Sequence, residues 1–159
     1  MDSLVAEVGG LLARQRMTLG VVESATGGLL SHLITGVPGI SAVYRGSVTA
    51  YANEVKVGVV GVSADTLERW GAVSQETAGE MACGGQRLLG VDICLADTGI
   101  AGPGGGSAEK PVGLFYIALA GPSGVEVRRY HFEGDREENK AQAAKTALLW
   151  LREYLLGLG

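Results

Sequence analysis

The chain has 159 residues, of which 47% are hydrophobic and 19% are charged, and its formal net charge is −4. This length and apolar content fit one folded domain with a substantial core and exclude a disordered chain. The net negative charge argues against a broad nucleic-acid-binding surface, because such surfaces neutralise phosphates with Lys and Arg.

The first half of the chain alternates between helical and extended patterns. Its predicted elements are a helix at 3–16, a strand at 18–22, a helix at 27–36, a strand at 45–52, a helix capped by Asn53, and a helix at 63–71 capped by Ser63.

The second half begins with a long helix and ends with a longer one. Its predicted elements are a helix at 74–90, a strand at 92–100, a loop at 101–111, a hairpin at 112–134 and a helix at 135–157 capped by Asp135. Helices that alternate with strands around one hairpin predict an α/β fold, a three-layer α/β/α sandwich on a mixed, mainly parallel sheet. We find no linker or internal repeat, and we expect one domain over 1–159.

The cysteines and the N-terminal segment indicate the cellular compartment in which the protein is expected. The two cysteines and two histidines have no zinc-ligand spacing, so we expect no metal and no cofactor. The N-terminus lacks the apolar segment of a secretory signal, and no apolar run reaches the ~20 residues of a membrane helix. We therefore expect a cytoplasmic protein with reduced thiols and no membrane partner.

The hexapeptide "ESATGG" at 23–28 lies between an apolar strand and a helix. A turn of this kind presents free backbone N–H groups at the positive end of the helix dipole, where phosphate or carboxylate binds. Gly27 and Gly28 would let a ligand approach the backbone closely. The alternative is that Ser24 or Thr26 only caps the helix.

The segment 37–56 contains a serine, a tyrosine and a lysine that could act together. Lys56 falls in the first turn of a predicted helix, where the dipole and desolvation both favour the neutral amine. A neutral lysine can accept the proton of Ser41, which could then attack a carbonyl group, with Tyr51 nearby. The alternative is a loop serine, a core tyrosine and an exposed lysine.

Two further segments are candidates for ligand contacts. The loop at 97–111 has five glycines, among them Gly99, Gly102 and Gly104, and could fold over a ligand or donate backbone N–H groups to an oxyanion. Arg136 opens the last helix and could hold a phosphate in a bidentate fork. The alternatives are a flexible surface loop and a solvated arginine.

Together these stretches resemble one family. The order ESxTGG, PGxSxV, YxNExK, GAVS, TGIAGPGGGxxEKPVG and GDR, over roughly residues 5 to 150, is similar to the C-terminal domain of the competence/damage-inducible protein CinA. The long TGIAGPGGG…EKPVG string is the most specific of these motifs. The resemblance is to the stand-alone form, without the molybdopterin-binding-like N-terminal domain of full-length CinA.

The resemblance implies an activity and a site. The stand-alone form is a nicotinamide-nucleotide amidase, which converts nicotinamide mononucleotide to nicotinate mononucleotide and ammonia without a metal. The resemblance implies Ser41 as nucleophile, with Ser24 as its rival, Lys56 as base and Tyr51 as helper. The implied substrate-binding residues are Ser24, Thr26, Gly27, Gly28, Thr98, Gly99, Gly102, Gly104 and Arg136.

The chain departs from the family pattern at four positions. Ala25 replaces the cysteine of ESCTGG, Ile40 replaces the first serine of PGSS, Lys140 replaces an arginine, and Asp97 stands where a small or apolar residue is usual. Ala25, Ile40 and Asp97 leave open a second reading, a domain that binds a nucleotide without turnover and acts as a sensor or a partner-binding module. The historical family name suggests a third reading, a factor acting on DNA, but the net charge argues against a nucleic-acid partner.

The resemblance also implies a homodimer or higher homo-oligomer.

Overall fold

The computed structural model describes residues 1–158, which fold around one five-stranded sheet with strand order β2-β1-β3-β4-β5. Strand β1 pairs in parallel with β2 and β3, whereas β3–β4 and β4–β5 are antiparallel. The strands are β1 Leu19–Glu23, β2 Tyr44–Thr49, β3 Ile93–Gly99, β4 Leu114–Gly121 and β5 Gly124–His131. This sheet confirms the predicted mixed architecture, with the hairpin as its antiparallel end.

Helices cover both faces of the sheet, which confirms the three-layer sandwich. Helices α1, α2 and α6 pack together on one face, and α5 covers the other with α4 beside it. The helices are α1 Asp2–Gln15, α2 Leu29–Thr35, α3 Asn53–Val55, α4 Ala64–Trp70, α5 Gln75–Leu89 and α6 Arg136–Gly157; a 3₁₀ turn spans Ile40–Ala42 and a π-helical turn spans Lys56–Val60.

Strand β3 is the central strand and separates two apolar cores. Ile93 and Leu95 belong to the core under α1 and α6, and Cys94 and Ala96 belong to the core under α5. Alternate side chains of a strand point to opposite faces, so a strand covered on both sides is apolar at nearly every position. Polar residues begin only at Asp97, where β3 approaches the end of the sheet.

Two predicted boundaries around residue 50 were wrong. Strand β2 ends at Thr49 rather than at residue 52, because the carbonyl groups of Ala50 and Tyr51 accept hydrogen bonds from Lys56 Nζ. Asn53 does not cap the next helix: Ala52 holds the N-cap position without a side-chain bond, and α3 lasts one turn. The π-helical turn then begins at Lys56 and accompanies its burial.

Of the two other predicted caps, Asp135 forms capping bonds and Ser63 does not, and Ser74 caps a further helix. Asp135 and Glu138 form a complete capping box at the start of α6, and the Ser74 hydroxyl accepts from the Thr77 N–H at the start of α5. Ser63 occupies the N-cap position of α4, but its side chain makes no capping bond. Over residues 1–158, no helix is both long and apolar enough to cross a membrane.

Candidate active site

A cavity of about 280 Å³ lies where the carboxyl ends of β1 and β3 meet the loop after β3. From β1 the chain crosses to β2 on one side of β1, and from β2 it crosses back to β3 on the other side. Ligands of open α/β sheets bind at such a reversal of strand order. The cavity is lined by Ser24, Ala25, Tyr51, Asn53, Lys56, Ala72, Val73, Thr98, Gly99, Ile100, Ala101, Gly102, Gly104, Gly105 and Arg136.

Lys56 is the most unusual residue of this lining, because its side chain is only 1% exposed. Its Nζ lies 2.8 Å from the carbonyl oxygen of Ala50, 3.1 Å from that of Tyr51 and 3.1 Å from the hydroxyl of Ser24. Burial lowers the pKa of Lys56 below the usual lysine value of 10.5, while the nearby carboxyl of Asp97 opposes this shift.

The three partners of Lys56 orient its lone pair when the amine is neutral. Carbonyl oxygens can only accept, so the two hydrogens of a neutral amine go to Ala50 and Tyr51. The remaining lone pair then faces the Ser24 hydroxyl, which becomes the donor. This is the arrangement that lets an amine take the proton of an attacking serine.

Ser24 reaches this position because it follows β1 directly. Strands β1 and β2 are parallel, so the residues after their carboxyl ends lie at the same edge of the sheet. Ser24 follows β1 and Lys56 follows β2 by one short turn, and Ser24 is 8% exposed at the cavity wall. The residue that the resemblance implied as the rival nucleophile is therefore the one that contacts the lysine.

Ser41 lies elsewhere, and the expected contact between Ser41 and Lys56 is not found. Ser41 belongs to the exposed 3₁₀ turn before β2, whereas Lys56 lies beyond the other end of that strand. A six-residue strand spans ~20 Å, so the two residues occupy opposite edges of the sheet. The neighbouring Ile40 and Val43 anchor this turn in the core beneath α1.

Tyr51 and Arg136 form the rim of the cavity. The Tyr51 side chain is 62% exposed, and its hydroxyl accepts a hydrogen bond from Arg136 Nη2 at 3.3 Å. Arg136 Nη1 donates to the carbonyl of Gly102 at 2.8 Å. Only the backbone carbonyl of Tyr51 contacts Lys56, so the phenol does not lie between Lys56 and a serine.

The wall opposite Lys56 is formed by the end of β3 and the glycine-rich loop. Thr98 is buried and donates its hydroxyl hydrogen to the Ala72 carbonyl at 2.7 Å. Gly99, Gly102 and Gly104 line the cavity with backbone atoms. A Cβ atom at Gly99 would lie 2.5 Å from the Phe115 ring, so this close approach of β3 to β4 needs glycine.

Three residues of the ESATGG turn that were predicted to bind substrate do not line the cavity. The Thr26 hydroxyl contacts the carboxyl groups of Glu23 and Asp97 beneath the turn. Gly27 and Gly28 have φ angles of +61° and +102°, which carry the chain into α2. The turn therefore supports Ser24 from below, while Thr26, Gly27 and Gly28 lie outside the cavity lining.

Comparison with known proteins places the chain in a family. Residues 1–155 match the model of the CinA C-terminal domain. The chain belongs to the CinA C-terminal domain family. It is 49% identical over 154 residues to a putative competence-damage inducible protein of Halothermothrix orenii, a match that covers 96% of this chain and 37% of that protein. It is also 49% identical over 154 residues to a CinA-like protein of Syntrophomonas wolfei, covering 97% of this chain and 37% of that protein.

Solved structures of CinA proteins have the same fold. A CinA superfamily protein from Klebsiella pneumoniae superposes with a TM-score of 0.94 at 34% identity, covering 98% of both chains. The competence/damage inducible protein CihA from Agrobacterium tumefaciens gives a TM-score of 0.90 at 37% identity, covering 94% of this chain and 92% of that one. The present chain spans about 37% of the length of the curated relatives named above.

Two residues that support the site in this CinA domain received no role from sequence reasoning. Glu23 accepts hydrogen bonds from three backbone N–H groups at the start of α2, namely those of Gly28, Leu30 and Ser31. Its position before a polar turn and a helix was the available signal, since carboxylates favour helix N-termini. Asn139 joins the glycine-rich loop to α6.

Asn139 is fully buried, and its side chain holds two segments of the site together. Its Nδ2 donates to the Ala101 carbonyl at 3.0 Å, and its Oδ1 accepts from the Gly134 N–H at 2.9 Å. We expect Asn139→Ala to lower the free energy of unfolding by ~2–3 kcal/mol, because the buried Ala101 carbonyl and the half-buried Gly134 N–H lose their partners. Urea denaturation measures this loss. Gln142→Ala, at an exposed position of α6, should change it by less than about 0.5 kcal/mol.

Proposed function

We propose that this chain is an amidohydrolase that converts nicotinamide mononucleotide to nicotinate mononucleotide and ammonia, with Ser24 as nucleophile and Lys56 as base. The observation that carries the proposal is the 3.1 Å contact between the buried Lys56 Nζ and the Ser24 hydroxyl at the cavity wall. Membership of the CinA family supports the substrate class, and the serine–lysine pair supports acyl transfer.

The first half of the reaction forms an ester. Neutral Lys56 takes the Ser24 proton, and Ser24 Oγ bonds to the carboxamide carbon. The tetrahedral oxyanion receives hydrogen bonds from backbone N–H groups of the glycine-rich loop, each worth ~3 kcal/mol in other enzymes. The Lys56 ammonium then returns its proton to the departing nitrogen, the C–N bond breaks and ammonia leaves.

The second half restores the free enzyme. Lys56, neutral again, takes a proton from water, whose oxygen bonds to the ester carbon. The bond to Ser24 breaks, Ser24 Oγ recovers a proton from Lys56, and the nicotinate group leaves as a carboxylic acid that ionises in water. Because Lys56 is neutral at the start of each half, its lowered pKa brings both steps toward neutral pH.

Substrate recognition is assigned to the rim of the cavity. Arg136 lies at the mouth with two of its guanidinium nitrogens directed at Gly102 and Tyr51. In the proposal, the guanidinium group holds the phosphate of the nucleotide, and the ring of Tyr51 covers the sugar or the pyridine ring. A cavity of about 280 Å³ is near the lower end of the size range of ligand pockets.

The proposal is tested by incubating the purified protein with nicotinamide mononucleotide and measuring ammonia and nicotinate mononucleotide together. We expect the two products in a 1:1 ratio. Tight binding of the mononucleotide without ammonia release would refute the amidase and support a nucleotide-binding sensor.

Arg136→Met separates phosphate recognition from chemistry. We expect kcat/KM for nicotinamide mononucleotide to fall ~10–100-fold, since a charge-assisted hydrogen bond contributes ~1.5–3 kcal/mol. Turnover of nicotinamide riboside, which lacks the phosphate, should change little. Arg129→Met, at an exposed position of β5 outside the cavity lining, is the matched control. An equal loss for both substrates would contradict the phosphate assignment.

A further inference from the structure

Beneath the Ser24 turn, one hydroxyl group lies between two carboxyl groups. Thr26 Oγ1 is 2.6 Å from Glu23 Oε1 and is also in hydrogen-bond contact with Asp97 Oδ2. Glu23, Thr26 and Asp97 are each no more than 1% exposed. A hydroxyl has a single hydrogen, so it can donate to only one of the two oxygens. The contact with the second carboxyl group therefore needs a hydrogen that this carboxyl group itself carries. If both carboxyl groups were ionised, Thr26 Oγ1 and one carboxylate oxygen would face each other with no hydrogen between them.

The backbone contacts indicate which carboxyl group carries that proton. Glu23 accepts the N–H groups of Gly28, Leu30 and Ser31, at 3.2, 2.7 and 3.1 Å, so backbone donors already face both of its oxygens. Asp97 accepts the Thr26 N–H at 3.0 Å through Oδ1, and the backbone N–H of Ser24 also faces its carboxyl group. Backbone donors occupy both oxygens of Glu23, whereas Asp97 Oδ2 contacts the Thr26 hydroxyl, so Oδ2 is the oxygen that can hold the hydrogen of this contact.

We propose that Asp97 is a positioning residue that holds a proton: its carboxylic acid donates to Thr26 Oγ1, and the Thr26 hydroxyl donates to the Glu23 carboxylate. This chain of two hydrogen bonds ties β3 to β1 directly below Ser24. Burial independently raises the pKa of Asp97 to about 6. As pH rises through this value, the proton leaves to solvent, and two buried negative charges then share one hydroxyl.

The charge on Asp97 also acts on Lys56. The charged groups near Asp97 are Glu23 on β1 and Lys56 after β2. On α6, Lys140 lies over the same turn, 3.8 Å from where a Cβ of Gly27 would be, and on β4 the residue opposite Asp97 is the apolar Ile117. An ionised Asp97 holds the Lys56 pKa higher than a neutral one would. This coupling of Asp97 to Lys56 does not depend on the proposed function; only an effect of the coupling on the rate of the proposed reaction would rest on it.

Asp97→Asn mimics the protonated acid, because its amide can donate to Thr26 Oγ1 and accept from the Thr26 N–H. The folded-state pKa of Asp97 is raised above the usual aspartate value of 3.8, so the wild type loses stability as pH rises from about 4 to 6. We expect Asp97→Asn to melt at a higher temperature than wild type above pH 6. The difference should shrink as pH falls and vanish near pH 4. Equal melting temperatures at every pH, or a variant that is less stable above pH 6, would overturn the proposal.

A spectroscopic measurement on the wild type does not depend on the variant folding. Infrared spectra of protein labelled with ¹³C at the aspartate carboxyls should show a carboxylic-acid C=O band at pH 5 that disappears as pH rises through about 6. An absent band at pH 5 would overturn the assignment of the proton to Asp97.

The coupling to Lys56 has its own readout, which needs no substrate. The NMR titration of the ¹³Cε resonance of Lys56 should have its midpoint at lower pH in Asp97→Asn than in wild type. An unchanged midpoint would overturn the coupling and leave the shared proton in place. If the infrared and NMR results are as expected while no ammonia is released from nicotinamide mononucleotide, the proposed function fails and this inference stands.

Discussion

Lys56→Met is expected to lower kcat/KM for nicotinamide mononucleotide by ~10³-fold or more. Methionine retains the apolar stem of the side chain and removes the amine that faces the Ser24 hydroxyl, and proton transfer by a positioned base contributes ~10²–10⁴-fold. The acid limb of the pH–rate profile, which reports the lysine, should disappear with it. Initial rates of ammonia release between pH 5 and 10 measure both effects.

The control for Lys56→Met is Lys145→Met, at an exposed position of α6. It should keep the wild-type rate and the acid limb. Retention of the acid limb in a folded Lys56→Met protein would contradict the role of Lys56 as base, and circular dichroism would establish that the variant is folded.

Ser24→Ala is expected to lower turnover by ~10⁴-fold or more, because it removes the oxygen that forms the ester in the proposed reaction. The substitution removes one oxygen from a residue that is 8% exposed, and Lys56 keeps its contacts with Ala50 and Tyr51. The fold and the binding of nicotinamide mononucleotide should therefore be retained. Calorimetric titration of the variant with the mononucleotide measures binding without turnover. Loss of binding together with turnover would mean that Ser24 only supports the shape of the cavity.

Local patterns were sufficient to predict the elements and the layers of this protein. The apolar spacing in α1, the Ser74 cap of α5, the Asp135 capping box and the hairpin each depend on residues close together in the sequence. The region around residue 50 could not be predicted in this way. There, the carbonyl groups of Ala50 and Tyr51 bind the side chain of Lys56, and a tertiary contact ends the strand.

The pairing of Ser24 with Lys56 was partly within reach of sequence reasoning. Both residues follow strands that turned out to be parallel neighbours, whereas Ser41 precedes the strand that Lys56 follows. A predicted strand between Ser41 and Lys56 already implied that they lie at opposite edges of the sheet. The neighbour relation of β1 and β2 was not available from the sequence, and the expected domain count and oligomeric state stay predictions.

The buried Glu23–Thr26–Asp97 cluster depends entirely on the fold. Thr26 and Asp97 are 71 positions apart and meet because β1 and β3 are adjacent and in register. The sequence marked Asp97 only as a departure from the family pattern, where a small or apolar residue is usual. Its contacts instead place it below the ESATGG turn, where a proton can be shared.

The measurement that tests the central claim most directly is the rate of ammonia release from nicotinamide mononucleotide by Ser24→Ala and Ser41→Ala, side by side with the wild type. The two serines lie at opposite edges of the sheet, and only Ser24 contacts Lys56. We predict that Ser41→Ala keeps a rate close to wild type and that Ser24→Ala releases no measurable ammonia. An inactive Ser41→Ala beside an active Ser24→Ala would contradict the assignment of Ser24 as the nucleophile.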